Sequence, residues 1–390
     1  MNDYCTDTGY VSLNKYGEQI CGDHVETIIS EDSTVAVLAD GLGSGVKAGI
    51  LSILTSKILS TMMANSMSVE DCIATIAATL PICKVRQVAY STFTIIRIIN
   101  NSEAEIIQYD NPHVILLRNG RNMDYPITSE TIDGKMIYKS KIALEEDDTF
   151  IAVSDGAVHA GTGLTLNYEW RREEIIDFLE TIYTKEFTAK TLSTMLINQC
   201  NSLYQERPGD DTTVFAVKIR KREQINLLIG PPESPENVIK MMSLFFSKEG
   251  KHIVCGGTTS SLAADFLKKP IDTSLPLYID PKIPPTTKIE GVDLVTEGVV
   301  TMSRVLEYAQ NYLEDNRQYS EWSYKKDGAA SIARMLFEEA TDIHFFAGRA
   351  INPAHQDPNL PIGFCIKMHL VEELSECLKK MGKKIKVSYF

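Results

Sequence analysis

The sequence predicts two domains of different fold class: an α+β domain over residues 1–222, in which antiparallel β-sheets are covered by helices, and an α/β domain with a mostly parallel sheet over residues 223–390. Three observations predict this division. A chain of 390 residues is too long for one typical domain and fits two. Short β-rich runs dominate the first part, whereas strands and helices alternate in the second. A short basic stretch at residues 218–224 lies between the two parts and is typical of a solvated hinge.

The elements of the first part follow from local patterns. Seven β-like runs are separated by clusters of Asn, Asp and Gly, which is typical of antiparallel meanders. The runs lie at residues 25–30, 34–39, 92–99, 104–110, 113–120, 148–155 and 212–219. Helices are predicted around residues 45–65, 68–81 and 172–204, the first because apolar residues recur at helical spacing.

In the second part, strands and helices alternate, which favours a mostly parallel sheet with helices on both faces. Strands are predicted at residues 225–230, 252–257, 276–280, 292–298, 342–348 and 384–390. Helices are predicted at residues 235–249, 259–268, 300–315, 327–340 and 369–381. The Pro-rich segment 269–290 is expected to be an extended connection.

Composition narrows the possible classes of function. The chain has 39 Lys and Arg against 52 Asp and Glu, a net charge of −13. Such an acidic protein is a poor candidate for binding nucleic acid or an anionic membrane, so we expect neither as a partner. No CxxC pair occurs among the eight cysteines, which disfavours zinc-ribbon and thioredoxin-like sites.

The amino terminus lacks the basic and apolar regions of a signal peptide. By inspection, no apolar run approaches the roughly 18 residues that a membrane span needs. We therefore expect a cytoplasmic protein with reduced thiols.

The strongest chemical signal is a set of acidic residues at the ends of β-like runs. Asp40, Asp155 and Asp210 lie in the motifs ADGLGSG, SDG and GDDTT, and Asp23 lies in GDH. One Asp-Gly alone is more simply a turn, but several carboxylates at strand ends form an oxygen-rich environment suited to Mg²⁺ or Mn²⁺. Two such ions about 3.5–4 Å apart activate water and hold a phosphoryl group.

The series GD, ADGLGSG, SDG and GDDTT, in this order, resembles the metal-dependent serine/threonine protein phosphatases of the PPM superfamily, and most of all their bacterial SpoIIE-type branch. The stretch 109–120 (YDNPHVILLRNG) is similar to the central strand pair of that branch. The resemblance covers roughly residues 10–220, and the carboxy-terminal part is similar to domains attached to some clostridial members. It implies two packed antiparallel β-sheets flanked by helices.

The resemblance also implies roles for individual residues. Asp40 is expected to bridge two Mn²⁺ or Mg²⁺ ions, with the Gly41 carbonyl on one of them, and catalysis is expected to depend on Asp40 and Asp23. The implied metal-ligand positions are Asp23, Asp40, Gly41, Asp155, Asp210 and Asp211, with Asp210 favoured as a direct ligand and Asp211 as its supporting neighbour.

Two features leave alternatives open. The arginine that holds phosphate in eukaryotic members has no evident counterpart; Arg86 and Lys47 are available cations, although each is more simply a surface charge. His24 is a possible proton donor and His159 a possible cleft residue, although each is more simply a polar neighbour.

In the second domain, hydroxyl- and glycine-rich loops follow predicted strands. They could cradle a small anionic ligand at the carboxyl edge of a parallel sheet, or be ordinary turns and helix caps. The candidate ligand-binding residues are Gly256, Gly257, Thr258, Thr259, Glu297 and His355.

The resulting hypothesis is a phosphatase that hydrolyses phosphoserine or phosphothreonine on a regulatory protein, such as an anti-sigma-factor antagonist in sporulation-type signalling, with metal-activated water as the nucleophile. The second domain would sense a ligand or a partner. The alternative is a catalytically weak phosphatase-fold scaffold that binds signalling partners.

Overall fold

The computed structural model describes residues 4–30, 33–79, 91–273, 286–314, 316, 318–350 and 366–390. The chain divides into two compact units, Met1–Lys221 and Arg222–Phe390. The first unit contains two antiparallel sheets and the second a parallel sheet with helices. The predicted fold class is therefore confirmed.

Two sheets make up the centre of the first unit. Its strands are β1 (Tyr4–Leu13), β2 (Asp23–Ile29), β3 (Thr34–Asp40), β4 (Thr92–Ile99), β5 (Glu103–Tyr109), β6 (Ile115–Arg118), β7 (Arg121–Asn122), β8 (Thr128–Ile132), β9 (Lys135–Ala143), β10 (Thr149–Val153) and β11 (Thr212–Lys221). One sheet has the order β1-β11-β10-β6-β7 and the other β2-β3-β4-β5-β9-β8. All pairings within them are antiparallel.

Strand β3 shows why the two sheets pack as a sandwich. Its residues are buried on both faces until Asp40, where the strand ends. On one face, Ala36 and Leu38 belong to an apolar cluster that also contains Phe150 and Phe215 of the other sheet. The opposite face packs against helices, so β3 is a continuous apolar run that ends in a carboxylate.

Helices cover both outer faces of the sandwich. They are α1 (Gly45–Ala64), α2 (Val69–Thr79), α3 (Asp155–Val158), α4 (Arg172–Ile182) and α5 (Ala189–Leu203). Helices α1 and α2 share an apolar cluster with β3 and β4, and α4 and α5 share another with β10 and β11. The single helix predicted over 172–204 is wrong: Thr188 caps a separate helix, and its hydroxyl accepts a hydrogen bond from the Thr191 amide.

Helix α1 passes a simple test for a membrane span. With 20 residues, it is long and apolar enough by length and composition, contrary to the expectation from the sequence. However, 44% of its most apolar window is buried inside the folded unit. One side of α1 packs on β3, since Leu59 and Met63 share an apolar cluster with Val35 and Val37.

The second unit is a parallel α/β domain. Its strands are β12 (Gln224–Ile229), β13 (Lys251–Cys255), β14 (Leu294–Thr296), β15 (Asp342–Ala347) and β16 (Lys384–Tyr389). Its helices are α6 (Val238–Phe246), α7 (Gly257–Leu267), α8 (Val299–Leu313), α9 (Tyr319–Ser323), α10 (Gly328–Ala333) and α11 (Ile366–Lys380), with a 3₁₀ turn at Pro235–Asn237 and a π-helix at Arg334–Glu339.

The strand order is β14-β13-β12-β15-β16, and every pairing is parallel. The chain moves outward from β12 in one direction and then returns to add β15 on the other side. One face carries an apolar cluster with α8, α10 and α11, and the other a cluster with α6 and α7. The strand predicted at 276–280 and much of the predicted 269–290 connection lie outside the described residues.

Candidate metal centre and active site

The β2–β3 pair places two carboxylates side by side. Asp23 is the first residue of β2 and Asp40 the last of β3, and the antiparallel register sets them directly opposite each other. Like charges at opposed positions destabilise a sheet. Since every other position of β3 is buried and most are apolar, this pair of acids has no evident role in packing.

The other sheet contributes three more carboxylates. Asp155 follows β10, and Asp210 and Asp211 precede β11. Because β10 and β11 pair antiparallel, the end of one strand adjoins the start of the other. Ser154 fixes this junction: its amide donates to the Thr213 carbonyl, and its hydroxyl accepts from the Thr213 amide at 2.8 Å.

Two glycines permit the close approach of these segments. A Cβ at Gly41 would lie 2.0 Å from the carbonyl oxygen of Ala48 in α1, and one at Gly156 would lie 2.2 Å from the carbonyl oxygen of Asp211. Any larger residue at either position would push apart the strand ends that carry the carboxylates. The Gly motifs that accompany the acids in the sequence therefore have a steric purpose.

These elements enclose a cleft of about 580 Å³. Its walls come from both sheets and from the loop that opens α1. The lining residues are Lys15, Asp40, Gly41, Leu42, Gly43, Ser44, Thr92, Tyr109, Asp110, Asp155, Asp210 and Asp211. Asp23 is not among them; it is 6% exposed and lies next to Asp40 in the adjacent strand.

Crowding of these acids raises their pKa values. Burial raises the pKa of Asp40 to about 9, and the charges of Asp23, Asp155 and Asp210 add to the effect. Burial raises the pKa of Asp23 to about 6, with a smaller contribution from Asp211 and a partial reversal by the nearby hydroxyls of Ser154 and Thr213. The pKa of Asp155 is also raised, by burial and then by Asp210.

The same electrostatics show which acids lie close enough to act on one another. The charge of Asp210 acts on Asp40 and on Asp155. The charges of Asp211 and Asp155 act on Asp23. Asp40 faces Asp23 across the β2–β3 pair, and the charges of Asp23, Asp155 and Asp210 all raise its pKa, so it is central to the cluster.

Although the hydroxyls of Ser154 and Thr213 lie near Asp23, three buried carboxylate oxygens in this site have no donor in hydrogen-bonding geometry among the described residues. They are both oxygens of Asp23 and Oδ2 of Asp211. Unpaired buried carboxylates are costly unless a cation neutralises them. A hard divalent ion with oxygen ligands supplies that neutralisation, so the donor set fits Mg²⁺ or Mn²⁺. Within the described ranges, no three His, Cys, Asp or Glu side chains already converge as in a formed metal site.

The two candidate histidines do not line the cleft. His24 Nδ1 lies 2.8 Å from the Ser56 hydroxyl of α1, and burial lowers its pKa. His159 Nδ1 lies 3.5 Å from Glu169. Of the two candidate cations, Lys47 does not line the cleft either, and Arg86 lies outside the described residues.

Sequence reasoning missed four lining residues: Lys15, Thr92, Tyr109 and Asp110. Asp110 carried one available signal, since it precedes Asn-Pro in a turn and adopts a left-handed backbone with φ 52°. The sequence around Lys15 gave no such signal, because no motif surrounds it and only the fold brings it close to Asp210 and Asp211.

In the second unit, the candidate residues lie where β13 and β14 end. Gly256 adopts φ 107° ahead of α7, and the Glu297 carboxylate lies 3.7–3.8 Å from the position of a Cβ on Gly257. The Thr259 hydroxyl accepts a hydrogen bond from the Gly230 amide at 3.0 Å, so it joins two loops. Thr258 is exposed, and His355 lies outside the described residues.

Comparison with known proteins assigns the first unit. Residues 30–220 match the family model of stage II sporulation protein E, SpoIIE. Residues 30–220 form a SpoIIE-family domain. This domain contains all five acids that line the cleft, whereas β2, with Asp23, precedes the matched segment. The resemblance to SpoIIE-type protein phosphatases that was inferred from the motifs is confirmed.

Several solved structures resemble the chain at low sequence identity. The PP2C phosphatase domain of Bacillus subtilis SpoIIE with a fragment of its regulatory domain is 19% identical, and the match covers 56% of this chain and 64% of that one, with a TM-score of 0.48. RsbX in complex with magnesium is 21% identical over 56% of this chain and 97% of that one, with a TM-score of 0.40.

The RsbU and RsbW domains of a Mycobacterium tuberculosis protein are 15% identical over 61% of this chain and 68% of that one, with a TM-score of 0.48. No curated protein matches the chain. The SpoIIE-family assignment therefore depends on the family match, and residues 222–390 lie beyond it.

Proposed function

We propose that the SpoIIE-family domain is a cytoplasmic, metal-dependent phosphatase that hydrolyses phosphoserine or phosphothreonine on a regulatory protein. The observation that supports this most is the buried carboxylate cluster. Asp23 and Asp211 keep oxygens without donors, and Asp40 has a pKa raised to about 9. A fold tolerates such crowding when a bound cation relieves it.

The acids of the site would be shared between two ions. Asp40, Asp155 and Asp210 would hold one, with the carbonyl of Gly41, and Asp40 and Asp23 would hold the other. Asp211 would support the second group through its charge on Asp23. Divalent cations bound at these carboxylates supply water activation and neutralisation of the phosphoryl charge.

The chain's own residues prepare the cleft for a phosphate monoester. The tight loop that opens α1, with its backbone pressed against Ala48, fixes the rim at Gly41. In the overall reaction, the oxygen of a water forms a bond to phosphorus, the bond from phosphorus to the ester oxygen breaks, and that oxygen takes up a proton. The products are the serine or threonine hydroxyl and inorganic phosphate.

The second unit is proposed to sense a ligand or a partner and to influence the phosphatase. Its strand order reverses between β12 and β15. In open parallel sheets, ligands bind outside the carboxyl ends of the strands at such a reversal. The glycines that follow the two strands, Gly230 and Gly348, leave room for the backbone there, and the loops of Gly256 and Glu297 lie along the same edge.

Hydrolysis of p-nitrophenyl phosphate, with Mn²⁺ and with EDTA, tests the proposed activity. Wild type is compared with Asp40→Asn and with Asp124→Asn, which makes the same charge change at an exposed site outside the cleft. We expect turnover that requires Mn²⁺, is lost in Asp40→Asn and is retained in Asp124→Asn. Activity in EDTA, or wild-type turnover by Asp40→Asn, would rule out the proposed centre. Absence of both turnover and metal binding would favour the scaffold.

A further inference from the structure

One face of the parallel sheet in the second unit becomes polar towards the amino ends of its strands. On this face, Leu228 and Phe346 lie in the apolar cluster with α6 and α7. The strand register and the alternation of side chains place six other residues on the same face, nearer the amino ends. They are Gln224, Asn226, Asp342, His344, Lys384 and Lys386. None of the six belongs to an apolar cluster of this unit, so polar side chains occupy this part of the face.

A groove of about 200 Å³ lies at these residues. Five polar side chains line it: Gln224, Asp342, His344, Lys384 and Lys386. The His344 side chain is 6% exposed, and its Nε2 lies 2.8 Å from the Ser388 hydroxyl. Lys384 and Lys386 are exposed. The groove therefore combines a buried, fixed imidazole with two lysines whose flexible stems let them meet a ligand.

Positive charge dominates the groove. Within the described part of the chain, neither the Lys384 nor the Lys386 ammonium has an ion-pair or hydrogen-bond partner. Burial, and then the charges of Lys386 and Lys248, lowers the pKa of His344 to about 4, which shows that Lys248 lies near as well. Three lysines therefore lie at or near one groove, in a chain whose net charge is −13.

The one acidic side chain that lines the groove is already engaged. The Asp342 carboxylate accepts a hydrogen bond from the Thr341 hydroxyl at 2.7 Å and lies 3.5 Å from the Arg222 guanidinium. It therefore neutralises little of the charge of the two exposed lysines. An acidic ligand would pair with these lysines without having to displace a carboxylate from them.

Strand β16 offers backbone groups beside this groove. It is the last strand in the sheet order, and among the described residues no strand pairs with its outer side. The Lys384 amide donates to the Thr341 carbonyl, on the β15 side. Since backbone groups alternate along a strand, the N–H and C=O groups of Ile385, Val387 and Tyr389 point outward. This edge is open to an additional strand.

We propose that the outer edge of β16 and the basic groove beside it form a docking site for an extended acidic segment of a partner protein, which joins the sheet as a further strand. Lys384 and Lys386 are two residues apart, so their side chains leave the same face about 6.5–7 Å from each other. Acids at alternate positions of an added strand have the same spacing on the same face. The proposal deepens the partner-sensing role proposed for the second unit and rests on that role.

The lysines also determine which strands this edge excludes. Lysine on an edge strand discourages indiscriminate strand addition, and like charges on neighbouring strands destabilise their pairing. A second copy of this chain would bring its own Lys384 and Lys386 to the edge, so edge-to-edge self-association is disfavoured. An acidic strand turns the same charges into attraction, so charge complementarity selects the partner.

Fluorescence anisotropy of the full chain with labelled peptides tests the docking site. The probe is a short peptide of alternating threonine and glutamate, and its counterpart has lysine in place of glutamate. Wild type is compared with Lys384→Glu/Lys386→Glu and with the control Lys379→Glu/Lys380→Glu, which makes the same charge change in α11, outside the groove. A labelled oligothymidylate tests whether any polyanion binds.

Two further changes test strand addition itself. Val387→Pro removes an outward amide, and an edge strand tolerates proline where its N–H faces away from the neighbouring strand. An N-methylated copy of the glutamate peptide cannot donate backbone hydrogen bonds, so it gives the same information without altering the protein. Circular dichroism verifies that each variant is folded.

We expect the glutamate peptide to bind wild type and the lysine peptide not to bind. Charge reversal at Lys384 and Lys386 should weaken binding at least about tenfold, because like charges then face each other, whereas the α11 control should change it by less than about threefold. Val387→Pro and N-methylation should each weaken binding at least about threefold, through the loss of backbone hydrogen bonds.

No saturable binding of the glutamate peptide at millimolar concentration, or binding that the charge reversal leaves unchanged, would overturn the proposal. Oligothymidylate that binds through the same lysines more tightly than the peptide would overturn it in favour of a nucleic-acid site. A dimer in sedimentation velocity that Lys384→Glu/Lys386→Glu abolishes would identify a second copy as the occupant. Equal binding of the N-methylated peptide would refute strand addition.

The anisotropy readout is independent of phosphatase turnover. If wild type shows no Mn²⁺-dependent hydrolysis, the phosphatase assignment fails, and peptide binding still decides the docking site. If the glutamate peptide binds but changes neither kcat nor KM for p-nitrophenyl phosphate, the docking site stands and the proposed influence of the second unit on the phosphatase fails.

Discussion

Replacing Asp40 by Asn should change the stability of the first unit in opposite directions with and without metal. The reason lies in the carboxylate cluster. In the metal-free protein, burial and the charges of Asp23, Asp155 and Asp210 raise the pKa of Asp40 to about 9. At pH 7, the folded state therefore keeps this carboxyl protonated, whereas the unfolded chain ionises it.

The size of the effect follows from the two pKa values. In the unfolded chain, the pKa of an Asp carboxyl is about 3.9. Keeping such a carboxyl protonated at pH 7 costs about 1.36 kcal/mol for each pH unit above that pKa, or up to about 4 kcal/mol in total. Asparagine has the same shape and does not titrate, so it avoids this cost. We expect Asp40→Asn to stabilise the metal-free unit by about 2–4 kcal/mol, since the neighbouring acids share part of the strain.

The direction of the Asp40 pKa shift also determines how the stability of the metal-free unit depends on pH. Because the folded pKa of Asp40 lies above its unfolded value, its contribution to stability is complete below about pH 4 and is lost as the pH rises towards 9. The metal-free wild type should therefore lose stability between these limits, and Asp40→Asn should lose less. Mn²⁺ should reverse the ranking: at 100 times its Kd, each of the two proposed ions stabilises the wild type by about 2.7 kcal/mol, so that together they exceed the advantage of the mutant.

Urea denaturation at pH 7, in EDTA and in MnCl₂, measures both effects. The chain has two tryptophans, Trp170 in the first unit and Trp322 in the second, so Trp170 fluorescence in a Trp322→Phe background follows the first unit alone. Asp124→Asn controls for the change in net charge. A metal-free unit destabilised by Asp40→Asn, or a mutant still stabilised by Mn²⁺ as much as wild type, would refute the reasoning.

Three further predictions concern the metal ligands and the buried charges. Asp210→Asn should weaken Mn²⁺ binding more than Asp211→Asn in titration calorimetry, because the charge of Asp210 reaches both Asp40 and Asp155; the reverse order would exchange their roles. Lys218→Met should destabilise the first unit by about 3 kcal/mol in urea denaturation. The Lys218 ammonium lies 3.0 Å from the almost fully buried carboxylate of Asp147, which would lose this ion pair. The exposed control Lys221→Met should change stability by less than about 0.5 kcal/mol. Burial lowers the pKa of His344 to about 4. The second unit should therefore lose about 1–3 kcal/mol of stability as the pH falls from about 6.5 towards 4. His344→Gln should make stability depend less on pH in this range, and an unchanged pH dependence would show that His344 does not cause it.

Much of the fold was predictable because its core strands are strongly patterned. β3, for example, is apolar from Val35 to Ala39, and its predicted bounds differ from the observed ones by one residue. Strands β1 and β9 escaped prediction because polar residues interrupt their apolar ones: Thr, Asp, Gly and Ser in β1, and Lys and Ser in β9. β1 is nevertheless paired with β11 over ten residues, so long-range pairing forms this strand where local pattern does not.

The ends of helices were harder to predict where capping interactions determine them. The break before α5 depends on a hydrogen bond between Thr188 and Thr191 that the surrounding apolar periodicity does not reveal. In the second unit, a π-helix continues α10, so that one predicted helix has two hydrogen-bonding patterns. Such differences of a few residues do not alter the parallel sheet with helices on both faces, which the alternation of strands and helices predicted.

The acids of the site were predictable because each sits beside a β-run with a glycine. What the sequence could not supply was their grouping, since the opposition of Asp23 and Asp40 depends on strand register. Lys15 was missed for the same reason: it is distant in sequence from Asp210, and only the β1–β11 pairing brings the two together. Contacts of this kind are properties of topology and not of local pattern.

The most direct test of the central claim is the number of Mn²⁺ ions that the full chain binds, measured by titration calorimetry on wild type and Asp40→Asn. We predict two ions per wild-type chain and weaker, incomplete binding by the mutant, because Asp40 is the proposed ligand of both ions. A wild-type chain that binds no Mn²⁺, or a mutant that binds two ions with wild-type affinity, would contradict it.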